Sequence, residues 1–219
     1  MKNYPLLDVR VSTPTLELRA ATDELLDQLA DLVRAGKTQA DPPPYDDPMS
    51  FYEADPDRRV ATWLRAIWRH RGNIAPDAWR LSFVVMVDGR PVGEQSLIGA
   101  NFATLRTVTT FSWLSADERG RGLGHEMRAA ILHLAFDGLG AAEAGSDAFV
   151  DNHGSNAISR GLGYEPNGSD WATRQGEPAL LNRWRLTRDT WERQRRDDIR
   201  LHHLEACQAL LPLPRSPLP

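Results

Sequence analysis

Asp117-Glu118-Arg119-Gly120-Arg121-Gly122-Leu123-Gly124-His125-Glu126-Met127-Arg128 is the stretch on which the fold turns. Before it runs a β-branched and aromatic segment, Arg106 to Leu114. After it, Met127, Ile131, Leu132, Leu134 and Ala135 recur at helical spacing as far as Phe136. Glycines between a strand and a helix let backbone approach a ligand closely. The amides of such a loop and of the first helical turn point at an anion, and the helix dipole adds attraction. Arg119 and Arg121 add mobile positive charge.

Alone, the loop admits several readings. A dinucleotide-binding loop follows the first strand of a βαβ unit, with an acid about 20 residues on; here several antiparallel strands come first. A triphosphate loop needs Gly-Lys-Ser/Thr, which is absent. Arg119-Gly120-Arg121-Gly122-Leu123-Gly124 fits the coenzyme A form Arg-x-x-Gly-x-Gly. A structural turn with solvated arginines also fits.

Outward from the loop, Trp79 to Val87 and Pro91 to Ile98 read as strands around an Asp88-Gly89 hairpin turn. Residues 16–21 read as a short strand. Thr22 caps a helix with Leu25, Leu26, Leu29, Leu32 and Val33 on its apolar face, stopping at Gly36. Asp55-Pro56 opens a second helix, with Val60, Trp63, Leu64, Ile67 and Trp68 facing inward and Gly72 at its end. Residues 37–50 are irregular. Residues 141–150 suit a strand, 155–162 a short helix, Asn182 to Leu186 a late strand and Thr187 to Leu210 a charged C-terminal helix. The last eight residues are proline-rich and read as a disordered end. The fold class expected is α/β (mixed α+β) with one central sheet. The expected division is a domain over 1–187 and a charged helix with a Pro-rich tail over 188–219.

The 219 residues are 41% hydrophobic and 26% charged, a globular profile, with a net charge of −4. No basic stripe suggests nucleic acid. No apolar run approaches the ~20 residues that span a bilayer. One cysteine, Cys207, allows neither an internal disulfide nor a cysteine-rich metal site, and no metal is expected. A cytoplasmic location is the default expectation.

Residues 151–164, Asp-Asn-His-Gly-Ser-Asn-Ala-Ile-Ser-Arg-Gly-Leu-Gly-Tyr, decide among the loop readings. They resemble the closing motif of the GCN5-related N-acetyltransferase (GNAT) superfamily: Asn-x-x-Ser, an apolar residue, then Leu-Gly-Phe/Tyr. Phe111-Ser-Trp-Leu-Ser resembles the strand entering that family's loop. Asn152-x-x-Ser155 is most similar to the ribosomal-protein alanine acetyltransferase branch.

The resemblance implies a mostly antiparallel mixed sheet flanked by helices, its fourth and fifth strands splayed around an acetyl-pantetheine arm. It implies acetyl-CoA as cosubstrate and a primary amine as acceptor, a protein N-terminus or small molecule attacking directly. Backbone near Leu114 and Ser115 would pair with the arm. Arg119, Gly120, Arg121, Gly122, Leu123 and Gly124, with His125, would take the pyrophosphate. Asn152 would bond the pantetheine, with Ser155 beside it.

The chemistry needs a neutral amine, and at pH 7 only about one in 10³ molecules of an ordinary amine is neutral. A base, often working through water, therefore helps. Ser155 is the candidate acid for the leaving thiolate, or else a helix cap; Ser159 is its rival. Tyr164 reads as core packing. Thr109 stands where ribosomal-protein acetyltransferases often carry a glutamate. Glu94 is the substitute base, or else a strand-end residue facing solvent; His153 is a weaker candidate. Without the strand glutamate, a non-catalytic acyl-CoA-binding or sensing module stays open. Tyr45, Asp46, Asp47, Phe51, Tyr52, Trp171 and Glu177 could line an acceptor site for a cationic, partly apolar amine. The mixed-charge stretch Arg188 to Arg200 reads as a solvated helix or a homodimer contact.

Overall fold

The computed structural model describes residues 3–36, 41, 52–205 and 211. Among the described residues, nine strands form one sheet: β1 (Arg10–Ser12), β2 (Glu17–Ala20), β3 (Ala78–Val87), β4 (Arg90–Ala100), β5 (Thr107–Leu114), β6 (Glu143–Phe149), β7 (Glu165–Arg174), β8 (Glu177–Thr187) and β9 (Arg200–His202). Their order is β7-β8-β6-β5-β4-β3-β2-β1-β9. The helices are α1 (Asp23–Arg34), α2 (Pro56–Gly72), α3 (Phe102–Leu105), α4 (Leu123–His133), α5 (His153–Gly161) and α6 (Arg188–Glu192). No helix among the described residues is long and apolar enough to cross a membrane.

Local chemistry sets these elements. The Thr22 hydroxyl accepts the Leu25 amide (3.3 Å), and the Asp55 carboxylate accepts that of Arg58 (2.8 Å) with Pro56 behind it. Asp88 (φ +50°) and Gly89 (φ +76°) both take positive φ, as a two-residue hairpin turn requires.

The sheet carries a core on each face. Leu26, Leu29 and Val33 of α1 and Trp63 and Ile67 of α2 cover Val84, Met86 and Trp113. Met127, Ile131 and Leu134 cover the opposite face with Leu18, Phe83, Leu97 and Val108. Each fully buried leucine or isoleucine here contributes about 1.5–3 kcal/mol.

Three expectations change. Trp68 is not on the apolar face of α2; it is 46% exposed, and its indole donates to Asp23 (3.1 Å). The late strand is the second half of a hairpin, β7–β8, turned at Gln175 (φ +52°) and Gly176 (φ +80°). The helix expected from Thr187 is only α6, after which the chain turns back and pairs β9 with β1. Trp191 of α6 stacks on Phe136 in the core (5.0 Å between ring centroids). β9, which lies beyond the expected 187/188 division, belongs to the same sheet. The charges beyond α6 stay largely exposed, and several are ion-paired: Arg195 with Asp137 (3.1 Å), and Arg196 with Glu126 and Asp198. Cys207 and the last eight residues lie outside the described residues.

His70 near the end of α2 has a pKa lowered to about 4 by burial and by the charges of Arg80 and Arg69. Unfolded, it takes a proton near 6.5. Its neutral form's contribution is complete above pH 6.5 and is lost progressively as pH falls toward 4. Denaturant titrations at pH 7 and pH 4.5 should show a stability drop that His70→Gln reduces; equal drops in both proteins refute the assignment.

Candidate functional site

Among the described residues, β5 and β6 are the one parallel pair, and their register covers only Thr107–Thr109 against Glu143–Gly145. Beyond Thr109 and Gly145 the strands part. On its other side β5 stays paired with β4: the Ser115 amide donates to Val92 O (2.8 Å), and the Gln95 side chain donates to Phe111 O (3.0 Å). Backbone groups alternate in direction along a strand, so those of Thr110, Ser112 and Leu114 face the opening. Ser115 therefore spends its amide on β4. Leu114 O is held by the Arg119 guanidinium through Nε (3.1 Å) and Nη2 (3.0 Å). Burial at that spot lowers the Arg119 pKa.

The opening leads to the glycine loop. Gly120 (φ +76°) and Gly122 (φ +81°) sit in the left-handed region, and a Cβ on either meets no atom within 4 Å. Gly122 is the N-cap of α4, and no side chain caps that end. The first turn, with Leu123 anchored in the core, thus presents amides to open space. Gly124 faces α5: a Cβ there would stand 3.0 Å from Ile158 Cδ1. His125 is exposed beside Gly161 of α5. Arg121, expected to be mobile charge, is ion-paired with Glu118. These features fit a pyrophosphate at the loop and an extended arm in the opening.

Asn152 caps α5, its Oδ1 accepting the Ser155 amide (3.0 Å). Ser155 is therefore the capped residue, not the cap, and is half-buried. Ser159 is 0% exposed, and its hydroxyl donates to Ser146 Oγ (3.5 Å) beneath α5. Tyr164 is core packing, and burial raises its pKa. His153 is exposed at the start of α5.

Glu94 is not a strand-end residue. It lies mid-strand in β4 opposite Trp113 and is 0% exposed. Oε2 accepts the indole N–H groups of Trp63 (3.1 Å) and Trp113 (3.2 Å), and Oε1 accepts the Ser96 hydroxyl (3.1 Å). Three neutral donors thus hold a carboxylate on the α1/α2 face, beside the opening.

Of the proposed acceptor-site residues, Tyr45, Asp46, Asp47 and Phe51 lie outside the described residues. Tyr52 is exposed just before α2, and Trp171 and Glu177 are exposed on the β7–β8 hairpin. Through β8 the hairpin pairs with β6 and its tip runs past Phe149, the end of β6 that has parted from β5, where Arg174 pairs with Asp151 (2.7 Å) next to Asn152. The reading missed Asp147, which follows the parting point on β6. Burial raises its pKa against the pull of Arg183, and Asp170 raises it further. It also missed Asn156, a buried hub whose amide donates to Phe149 O and Asn152 O (both 2.8 Å) and accepts from Asn182 and Trp184 (both 3.0 Å). The four-residue step from Asn152 was the available signal.

Residues 15–165 match the acetyltransferase (GNAT) domain family model. Among solved structures, the chain is similar to Mycobacterium smegmatis RimJ in complex with CoA-disulfide, at 16% identity and a TM-score of 0.69, covering 94% of this chain and 95% of that one. It is similar to RimL, the ribosomal L7/L12 alpha-N-protein acetyltransferase in complex with coenzyme A, at 21% identity and TM-score 0.62, covering 81% and 97%. It is also similar to a chimera of Vibrio cholerae spermidine N-acetyltransferase SpeG with hSSAT, at 16% identity and TM-score 0.64, covering 81% and 98%. These likenesses are of fold. With the family match over most of the chain, they leave one assignment: the protein belongs to the GNAT family of acyl-CoA-dependent N-acetyltransferases, with acetyl-CoA as cosubstrate.

Proposed function

We propose that the protein transfers the acetyl group to a primary amine by direct attack. The observation that carries this is Glu94, a buried carboxylate held by neutral donors beside the opening between β5 and β6. Bound acetyl-CoA supplies an activated acetyl thioester. The loop from Arg119 to Gly124 and the first turn of α4 hold its pyrophosphate, and the β5 backbone around Leu114 orients the arm. Asn152 and Ser155 flank the arm from α5. Glu94 takes the first proton of the incoming ammonium through water; after attack, the second N–H proton passes to Ser155 as Ser155 gives its own to the departing sulfur.

The acceptor approaches from the α1/α2 face, where Glu94 and Asp147 supply negative charge suited to a cationic amine. The described relatives named for a protein N-terminus and for spermidine bracket the choice. The second reading, an acyl-CoA sensor, is favoured by the occupation of both Glu94 oxygens.

An amine panel containing N-terminal peptides and polyamines separates the readings. Release of free CoA dependent on one amine class supports transfer; acetyl-CoA binding with no release across the panel supports the sensor. Ser155→Ala should lower kcat by about tenfold to a hundredfold while the protein still binds acetyl-CoA. An unchanged kcat removes Ser155 as the acid.

A further inference from the structure

Beneath the parting point of β5 and β6, on the α4/α5 face, lies a polar cluster that the mechanism above does not use. Arg128 of α4 is only 5% exposed. Its Nη1 donates to Ser146 Oγ (3.0 Å), and its Nε is buried with no hydrogen-bond partner. No carboxylate among the described residues pairs with it. An arginine stays charged, and a buried charge is ordinarily paired.

The surroundings are hydroxyls. Ser146 follows Gly145, the last residue of β6 paired to β5. Thr110 follows Thr109, the corresponding residue of β5. Thr110 Oγ1 is also buried without a partner, and the buried Tyr164 hydroxyl lies against the Arg128 guanidinium, whose charge acts on it. Arg128 lies one helical turn along α4 from Gly124, and its bond to Ser146 holds the guanidinium beside the point where β5 and β6 part. A lone buried cation ringed by under-used hydroxyls suits a ligand atom that is neutral on arrival and negative on departure.

We propose that Arg128 is a positioning residue for the sulfur end of the cosubstrate, acting through Ser146 to favour the thiolate. The inference rests on the acetyl-transfer reading of the opening. In that reaction the amine nitrogen forms the new bond to the acetyl carbon, the C–S bond breaks, and its electron pair goes to sulfur. Arg128 keeps its proton throughout. Its charge and the Ser146 hydroxyl meet the charge that develops, in a site of low dielectric.

Few other charges face this spot. Tyr164 adjoins it, and burial raises its pKa. His125 and Arg160 are exposed, the latter over the Trp184 ring, and Glu126 is paired with Arg196. Glu94 and Asp147 lie on the opposite face of the sheet.

The test compares CoA with an analogue carrying hydrogen in place of the thiol, bound to wild type, Arg128→Met and Arg128→Lys from pH 7 to pH 9. A thiolate favoured by the protein makes the preference for CoA over the analogue grow with pH, by up to about tenfold per unit that the bound thiol's pKa falls. Wild type should show that growth, Arg128→Lys should retain part of it, and Arg128→Met should show a flat preference. Binding of the analogue by Arg128→Met shows that its site is folded. If Arg128→Met fails to fold, Ser146→Ala should still weaken the growth. Equal growth in wild type and Arg128→Met, or none in wild type, overturns the proposal while leaving the cosubstrate site intact. Failure of wild type to bind either ligand overturns the underlying reading and this inference with it.

Discussion

Gly122→Val is expected to abolish the stabilisation of the protein by acetyl-CoA. At 100 times the dissociation constant, a ligand adds about 2.7 kcal/mol. For a chain of this size that raises Tm by roughly 5–10 °C. Valine at φ +81° is strained, by about 1–2 kcal/mol. Its side chain also projects into the open space above the α4 amides. Gly168→Val supplies the control, because Gly168 (φ +89°) also has nothing within 4 Å but lies on β7. Thermal scans should show both variants less stable, with only Gly168→Val keeping the acetyl-CoA shift. A full shift in Gly122→Val would remove the loop as the anion site.

Replacing Glu94 should produce the largest loss of activity. Glu94→Gln keeps the shape and removes the charge, so the rate should fall by about 10²–10⁴ while acetyl-CoA binding holds. Glu94→Ala goes further. It strands the indoles of Trp63 and Trp113 and the Ser96 hydroxyl, each unmet donor costing about 1–3 kcal/mol. Urea unfolding should find Glu94→Ala much less stable than Glu94→Gln. If Glu94→Gln transfers acetyl at the wild-type rate, the carboxylate is structural and the base lies elsewhere.

The parts of the fold readable in the sequence were those governed by local chemistry. Asp88-Gly89 marks its hairpin because both residues tolerate positive φ. Thr22, Asp55 and Pro56 mark helix starts because caps are nearest-neighbour devices. The glycine loop was legible for the same reason. β7 was not: Glu165–Arg174 is polar and largely exposed, so it carries no two-residue alternation, and only pairing with β8 makes it a strand. Arg193 to Arg200 looked helical through its mixed charges, yet Arg195 and Arg196 find partners on distant elements. Glu94 was noticed as an unusual carboxylate, but its burial depends on indoles 31 and 19 positions away. No local pattern encodes such a contact. Arg128 was quoted within the loop and passed over, since an arginine on a helix is usually solvated.

The pairing of β9 with β1 bears on how the chain matures as it is made. Ser12 and His202, joined across that pair at 2.9 Å, are 190 positions apart. At 5–20 residues per second, β1 leaves the ribosome roughly 10–40 s before its outer neighbour is synthesised. Throughout that interval one border of the nascent sheet is an open template for unwanted strand addition. Non-local closure of this sort also slows folding. The strand that completes the enzyme's far edge is thus translated long after the strand it covers, and that edge stays open until β9 has cleared the ribosome.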